Sequence, residues 1–193
     1  MNINSIFHKN LPNNLTIARI LSIPIIIFFL FNGQPIYKVV AFFLILIFSL
    51  TDILDGYYAR TYNLVTGLGK YLDPLADKIF ILSLLFSFHF YYQEYLPLWM
   101  ISIIIIRDLI VTLLRNIYYA NNQTFKTSRL GKRKTLMQIV CIHLMLLIII
   151  LKEYNIYNVN LLFIYYLMLS CSIVTFLSGA DYFYQYFRFK KDE

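Results

Sequence analysis

The chain has 193 residues and a formal net charge of +7, and it is 60% hydrophobic but only 14% charged. A soluble domain carries about 25% charged residues, so this composition excludes an ordinary soluble globular domain. Apolar runs near the length that crosses a bilayer recur along the whole chain, which identifies a polytopic membrane protein.

Six spans are predicted, at about Leu15–Phe31, Lys38–Tyr58, Leu72–Tyr91, Leu96–Tyr118, Thr135–Leu151 and Leu161–Phe183. Their apolar runs are continuous rather than alternating, which favours helices over a barrel despite the wealth of Ile, Tyr and Phe. The expected fold class is therefore an all-α polytopic membrane protein with six transmembrane helices. Residues 1–193 read as one membrane domain with a short cytoplasmic segment, 1–12, ahead of the first span. The connections are short, no internal repeat is visible, and no soluble domain fits between the spans. Arg19 and Pro24 interrupt the first span, and "FNGQP" after it lacks a small-x-small cleavage site, so it does not read as a secretory signal. Cys141 and Cys171 sit in apolar runs and are expected to be buried free thiols.

The positive charge has a direction. With the N-terminus inside, the cytoplasmic segments and the inner ends of the spans hold thirteen Lys and Arg, and the outer side holds only Lys38 and Lys152. That asymmetry places both termini in the cytoplasm and makes the net charge a topology signal rather than a nucleic-acid footprint. Lys78 and Arg107 fall within spans and are outside this count.

Four aspartates gather in "TDILDGYYARTYNLVTGLGKYLDPLADK", between two apolar stretches. Asp52 and Asp55 are three apart and share one face of the second helix, which Gly56 and Ala59 continue. Asp73 and Asp77 are four apart and share a face of the third. The short link between the two helices makes them antiparallel neighbours, so both pairs lie at the same cytoplasmic depth. An aspartate costs roughly 2.5–3.5 kcal/mol at the centre of an inserted helix, and less near the interface. Four also repel one another. Arg60, Lys70 and Lys78 are nearby, but a hard divalent ion with oxygen ligands neutralises the group more economically, and Mg²⁺ or Mn²⁺ suits such ligands. Helix capping explains Asp73, which precedes Pro74. It does not explain Asp52 and Asp55, near a helix C-terminus where the macrodipole disfavours negative charge.

These residues resemble a known family. The pattern D-x-x-D-G-x-x-A-R-x8-G-x3-D-x3-D is the signature of the CDP-alcohol phosphatidyltransferases. Asp52, Asp55, Gly56, Ala59, Arg60, Gly69, Asp73 and Asp77 match it without departure. "LPNNLTIARILSIP", "YLDPLADK", "IIIIRDLIVTLLR", "GKRKTLMQ" and "LSGADYF" are similar to the phosphatidylglycerophosphate synthase branch. The resemblance implies a six-helix membrane fold, a homodimer, and a polar cavity open to the cytoplasm of a bacterial inner membrane. It implies transfer from CDP-diacylglycerol to sn-glycerol 3-phosphate, releasing CMP.

Roles follow from the resemblance beside the physical reading. Two divalent ions held by Asp52, Asp55, Asp73 and Asp77 would clamp the donor pyrophosphate. The family pattern nominates Asp77 as the base for the acceptor proton. A carboxylate beside divalent cations is a weak base, so acidification of the hydroxyl by the metal stays as the alternative. Gly56 and Ala59 would let the nucleotide approach the backbone, although small residues also serve helix packing. Arg60 would fork onto phosphate, or serve only as a positive-inside residue. Asn14, Leu15, Thr16 and Ile17, with Thr66 and Gly69, align with the donor site; by itself "NNLT" reads as a helix N-cap.

The acceptor's own phosphate calls for a second basic site. Arg107, Arg115, Lys132 and Lys134 are the candidates; a cytoplasmic cluster attracted to anionic lipid is the competing reading of "SRLGKRK". Arg107 inside an apolar span must pair or bind something. Asp108 points about 100° away on a helix, which weakens a simple Arg–Asp pair, whereas Arg115 lies about 80° around the same side. His8, His89 and His143 are isolated and suggest no metal site. Asp181 is a candidate for capping or for substrate access. Other acceptors within the family (inositol phosphate, serine or phosphatidylglycerol) are alternatives. A cation channel or transporter fits less well, because the polar residues crowd at one side of the bilayer. A prenyl-pyrophosphate transferase usually carries two distant aspartate motifs in a longer bundle.

Overall fold

The computed structural model describes the backbone of residues 3–61, 69–120, 129–156 and 159–191, and the side chains of 14–51, 73–118, 131, 133–156 and 159–185. Within these residues the chain forms six helices and no strand. They are α1 (Ile3–Phe31), α2 (Pro35–Thr61), α3 (Gly69–Tyr91), α4 (Leu98–Ala120), α5 (Arg129–Glu153) and α6 (Leu162–Lys191). Helix satisfies every backbone polar group within its own segment, which hydrocarbon surroundings demand.

Each helix corresponds to one predicted span, but several extend beyond it. α1 begins at Ile3 rather than Leu15, so "NNLT" is mid-helix and caps nothing. α3 begins at Gly69, four residues before Asp73, so Asp73–Pro74 is not a helix start. α5 begins at Arg129, six residues before Thr135, and takes "GKRK" into the helix. Hydropathy finds the part of a helix that lies in hydrocarbon, not the polar turns that continue it.

Four described stretches are long and apolar enough to cross a membrane: Asn14–Phe31, Asp73–Tyr91, Arg133–Glu153 and Leu162–Gln185. α2 contributes a shorter apolar stretch, Pro35–Thr51, where its described side chains end. α4 is continuous, but Arg107, Asp108 and Arg115 interrupt its apolar sequence. The chain is an integral membrane protein by these helices.

The residues group into two compact units. The first comprises Met1–Ser87 and Ile149–Asn158; the second comprises Phe88–Ile148 and Val159–Glu193. In the first, α1 packs along α2, with Phe29 stacked on Tyr37 at 5.7 Å between ring centroids. Ile26, Ala41, Ile45, Ala76, Leu84 and Leu85 form its buried centre. Lys38 meets Glu153 at 2.6 Å. α5 ends there in a Schellman turn: Asn155 takes a left-handed φ of 54°, its N–H donates to Lys152, and the Ile156 N–H donates to Leu151.

In the second unit α4 packs along α6 over Met100, Ile101, Ile104, Met145, Leu146, Ile164 and Met168. Cys141 and Cys171 are both free and buried here, as expected. Gly131 lies against Tyr182, where a Cβ would sit 2.5 Å from the phenol oxygen. Tyr182 is 2% exposed and has little room to retreat. Gly131→Ala is expected to destabilise the protein by about 1–3 kcal/mol, the usual cost of overpacking, seen as a lower thermal midpoint in detergent.

Candidate active site

Two clusters of polar side chains interrupt the apolar interior, one in each unit. In the first, Asp73 and Asp77 project from one face of α3, both half-buried. Pro74 between them has no N–H to give to the carbonyl four residues back, but the helix runs through it. The Thr16 hydroxyl donates to Asp73 Oδ1 at 2.6 Å. Thr16 is 3% exposed, and Arg19, one turn further along α1, is equally buried. Of the stretch aligned with the donor site, Asn14 and Ile17 are exposed, Leu15 is half-buried, and only Thr16 is fully inward. A residue expected near the nucleotide therefore holds one of the expected metal carboxylates.

The partner pair, Asp52 and Asp55, lies on the described backbone of α2, as do Gly56, Ala59 and Arg60, but their side chains are outside the described residues. Gly69 opens α3, and Thr66 lies outside the described residues altogether. Among the described residues no three His, Cys, Asp or Glu side chains come together. The donor chemistry nevertheless suits a hard cation. A carboxylate has two oxygens, so Asp73 can accept from Thr16 and still offer a lone pair to a metal.

The second cluster is built on α4, α5 and α6. Arg107 and Asp108 do pair, with Nη1 3.0 Å from Oδ1. The long arginine side chain spans the angle that separates neighbouring positions on a helix. Lys134 Nζ donates to the same Asp108 oxygen. Arg107 Nη2 donates to the Ser178 hydroxyl at 2.6 Å, and its guanidinium carbon lies 5.2 Å from the centre of the Tyr182 ring. Gly179 leaves room for the stem: a Cβ there would come within 3.0 Å of Arg107 Cγ. Lys134, one residue ahead of the predicted fifth span, lies within α5 and is 4% exposed.

The structure thus brings Arg107 and Lys134 together through Asp108. Arg115 is two helical turns further along α4 and half-buried, and the Lys132 side chain lies outside the described residues. Asp108, Ser178 and Tyr182 were not legible as site residues. Ser178 and Tyr182 are four apart on α6, but nothing in their spacing identified Arg107 as their partner. His89 and His143 each meet a backbone carbonyl, of Leu96 and Ile139. Asp181 lies mid-helix, accepting from Gln185 at 3.2 Å, so it is not a helix cap.

Comparison with known proteins addresses the same residues. The family model described as CDP-alcohol phosphatidyltransferase matches residues 9–177. The CDP-diacylglycerol–glycerol-3-phosphate 3-phosphatidyltransferase of Bacillus subtilis is 38% identical, over 72% of this chain and 77% of its own. The protein of the same name from Rickettsia bellii is 35% identical, over 91% of this chain and 94% of its own. That from Aquifex aeolicus is 34% identical, over 90% and 93%. Matched over most of its length, and carrying all eight positions of the aspartate motif, this chain belongs to the CDP-alcohol phosphatidyltransferase family.

Proposed function

We propose that this chain transfers the phosphatidyl group of CDP-diacylglycerol to sn-glycerol 3-phosphate, giving phosphatidylglycerophosphate and CMP. The names of its relatives support the reaction. The observation that carries the acceptor assignment is the buried meeting of Arg107 and Lys134 in an otherwise apolar helical unit. Two cations are held there, out of water, where a phosphorylated acceptor gives them a use.

In this reading Asp52, Asp55, Asp73 and Asp77 hold two divalent ions, Mg²⁺ or Mn²⁺. When bound, such ions neutralise the donor pyrophosphate and the charge developing on the leaving CMP. Thr16 fixes the rotamer of Asp73 through its hydroxyl. Arg60 forks onto donor phosphate, and Gly56 and Ala59 let cytidine approach α2. Arg107 and Lys134, with Arg115 and Lys132, take the acceptor phosphate and orient its hydroxyl in line with the scissile bond. The oxygen attacks the β-phosphorus as the bond to CMP breaks, and Asp77 receives the proton. Residues 1–193 act as one membrane domain of a homodimer, with the site facing the cytoplasm of a bacterial inner membrane, as the distribution of Lys and Arg supports.

The test is purified protein with CDP-diacylglycerol and a panel of acceptor alcohols, scored by CMP release with and without EDTA. Release with glycerol 3-phosphate, abolished by EDTA and restored by Mg²⁺ or Mn²⁺, is the expected result. Release with serine or inositol phosphate alone would refute the acceptor assignment. Thr16→Val removes the hydroxyl that steadies Asp73. It should raise the Mg²⁺ concentration for half-maximal activity about fivefold, the worth of one hydrogen bond near 1 kcal/mol, read from a Mg²⁺ titration.

A further inference from the structure

We infer that Asp108 is a positioning residue for the acceptor, the carboxylate that holds Arg107 and Lys134 as a converged pair of cations. This rests on the reading that those two bind the acceptor phosphate.

The geometry has three parts. Arg107 Nη1 and Lys134 Nζ donate to one oxygen, Asp108 Oδ1, so the two positive groups meet at a single point although they come from different helices. Little of the cluster meets solvent: the Lys134 side chain is buried at 5% exposed, and those of Arg107 and Asp108 are 11% and 14% exposed. Unscreened like charges this close repel, and the shared carboxylate offsets that repulsion. Finally, Arg107 has a buried Nε with no hydrogen-bond partner among the described residues, whereas Nη1 and Nη2 are engaged by Asp108 and Ser178. A buried N–H donor without an acceptor is costly, and a ligand oxygen would supply one.

Ser178 and Tyr182 complete the fixture. The Ser178 hydroxyl and the Tyr182 ring fix the guanidinium on two further sides. Gly179 keeps that face of α6 flat enough for the stem to pass. Such a pocket carries two cations and one anion, so it retains one net positive charge for a phosphate. Asp108 contributes orientation at the expense of part of the field.

The experiment is steady-state kinetics of the full-length enzyme in mixed micelles, varying glycerol 3-phosphate and CDP-diacylglycerol separately. Asp108→Asn keeps the shape but weakens the hold on both cations. Its apparent KM for glycerol 3-phosphate should rise about tenfold or more, the fold-change of one charge-assisted hydrogen bond. The KM for CDP-diacylglycerol should stay within about twofold, since a residue acting through the acceptor cations moves acceptor binding alone. Asp108→Glu, which keeps the charge, should recover most of the loss. In a double-mutant cycle, Lys134→Met should cost markedly less when Asp108 is already Asn.

An unchanged or lower acceptor KM in Asp108→Asn, with Lys134→Met still raising it, would overturn the inference and leave the acceptor reading standing. If Lys134→Met leaves the acceptor KM untouched, the acceptor reading itself fails and the inference falls with it. Should Asp108→Asn prove too unstable to assay, Asp108→Glu decides alone. A near-normal acceptor KM there supports the inference, and equal rises in both KM values contradict it.

Discussion

Asp73→Asn is expected to reduce turnover about a thousandfold or more, because removing a metal-ligating charge forfeits several kcal/mol of transition-state stabilisation. The fold should survive. Asparagine has the shape of aspartate, and its amide oxygen can still accept from Thr16 Oγ1, now 2.6 Å from Asp73 Oδ1. Neutralising one acid near the interface also relieves repulsion within the quartet, so the thermal midpoint in detergent should hold or rise. Asp73→Ala is the contrasting variant: it leaves the buried Thr16 hydroxyl without this acceptor and should lose stability as well as activity. CMP release and thermal unfolding on the same preparations separate the two effects. Near-normal turnover in Asp73→Asn would contradict the metal assignment.

Arg107→Met should raise the KM for glycerol 3-phosphate about a hundredfold, the loss expected when a guanidinium that makes charge-assisted bonds to phosphate is removed. Methionine retains much of the apolar volume against Gly179 and Tyr182. Asp108 keeps Lys134 as its partner, so no buried carboxylate is stranded. The readout is the split between acceptor and donor KM. Equal changes in both would mean that Arg107 supports the helices rather than the acceptor.

The two clusters differ in how far they were legible before the fold was known. Asp52, Asp55, Asp73 and Asp77 stand at helical spacings within 26 residues, so periodicity alone groups each pair and the short connection predicts one depth for both; of the four, Asp73 and Asp77 have described side chains. The second cluster draws on residues 107, 108, 134, 178 and 182, from three helices. No periodicity relates positions so far apart, and side-chain length matters more than helical angle. Arg107 reaches Asp108 although adjacent residues on a helix point apart. Burial was the other hidden variable. Lys134 reads as one basic residue among several, and only its place on the inward face of α5 distinguishes it from exposed Arg133.

Helix ends were misread for a related reason. Asp73–Pro74 has the composition of a helix start, but α3 begins at Gly69 and runs through Pro74. Pro74 is the sixth residue of α3, past the first turn, so the Lys70 carbonyl goes without its helical N–H there and the helix continues nonetheless. Starting α3 earlier gives Asp73 a helical backbone. It also puts Asp73 and Asp77 on one face without leaving Asp73 to the variable geometry of a loop.

Anomalous diffraction from crystals grown with Mn²⁺ and a CDP-alcohol tests the central claim most directly. The account predicts manganese peaks about 2.0–2.3 Å from oxygens of Asp52, Asp55, Asp73 and Asp77, the range for small divalent cations, with pyrophosphate oxygens completing the coordination. Carboxylates turned to separate surfaces, with no manganese shared between α2 and α3, would contradict it.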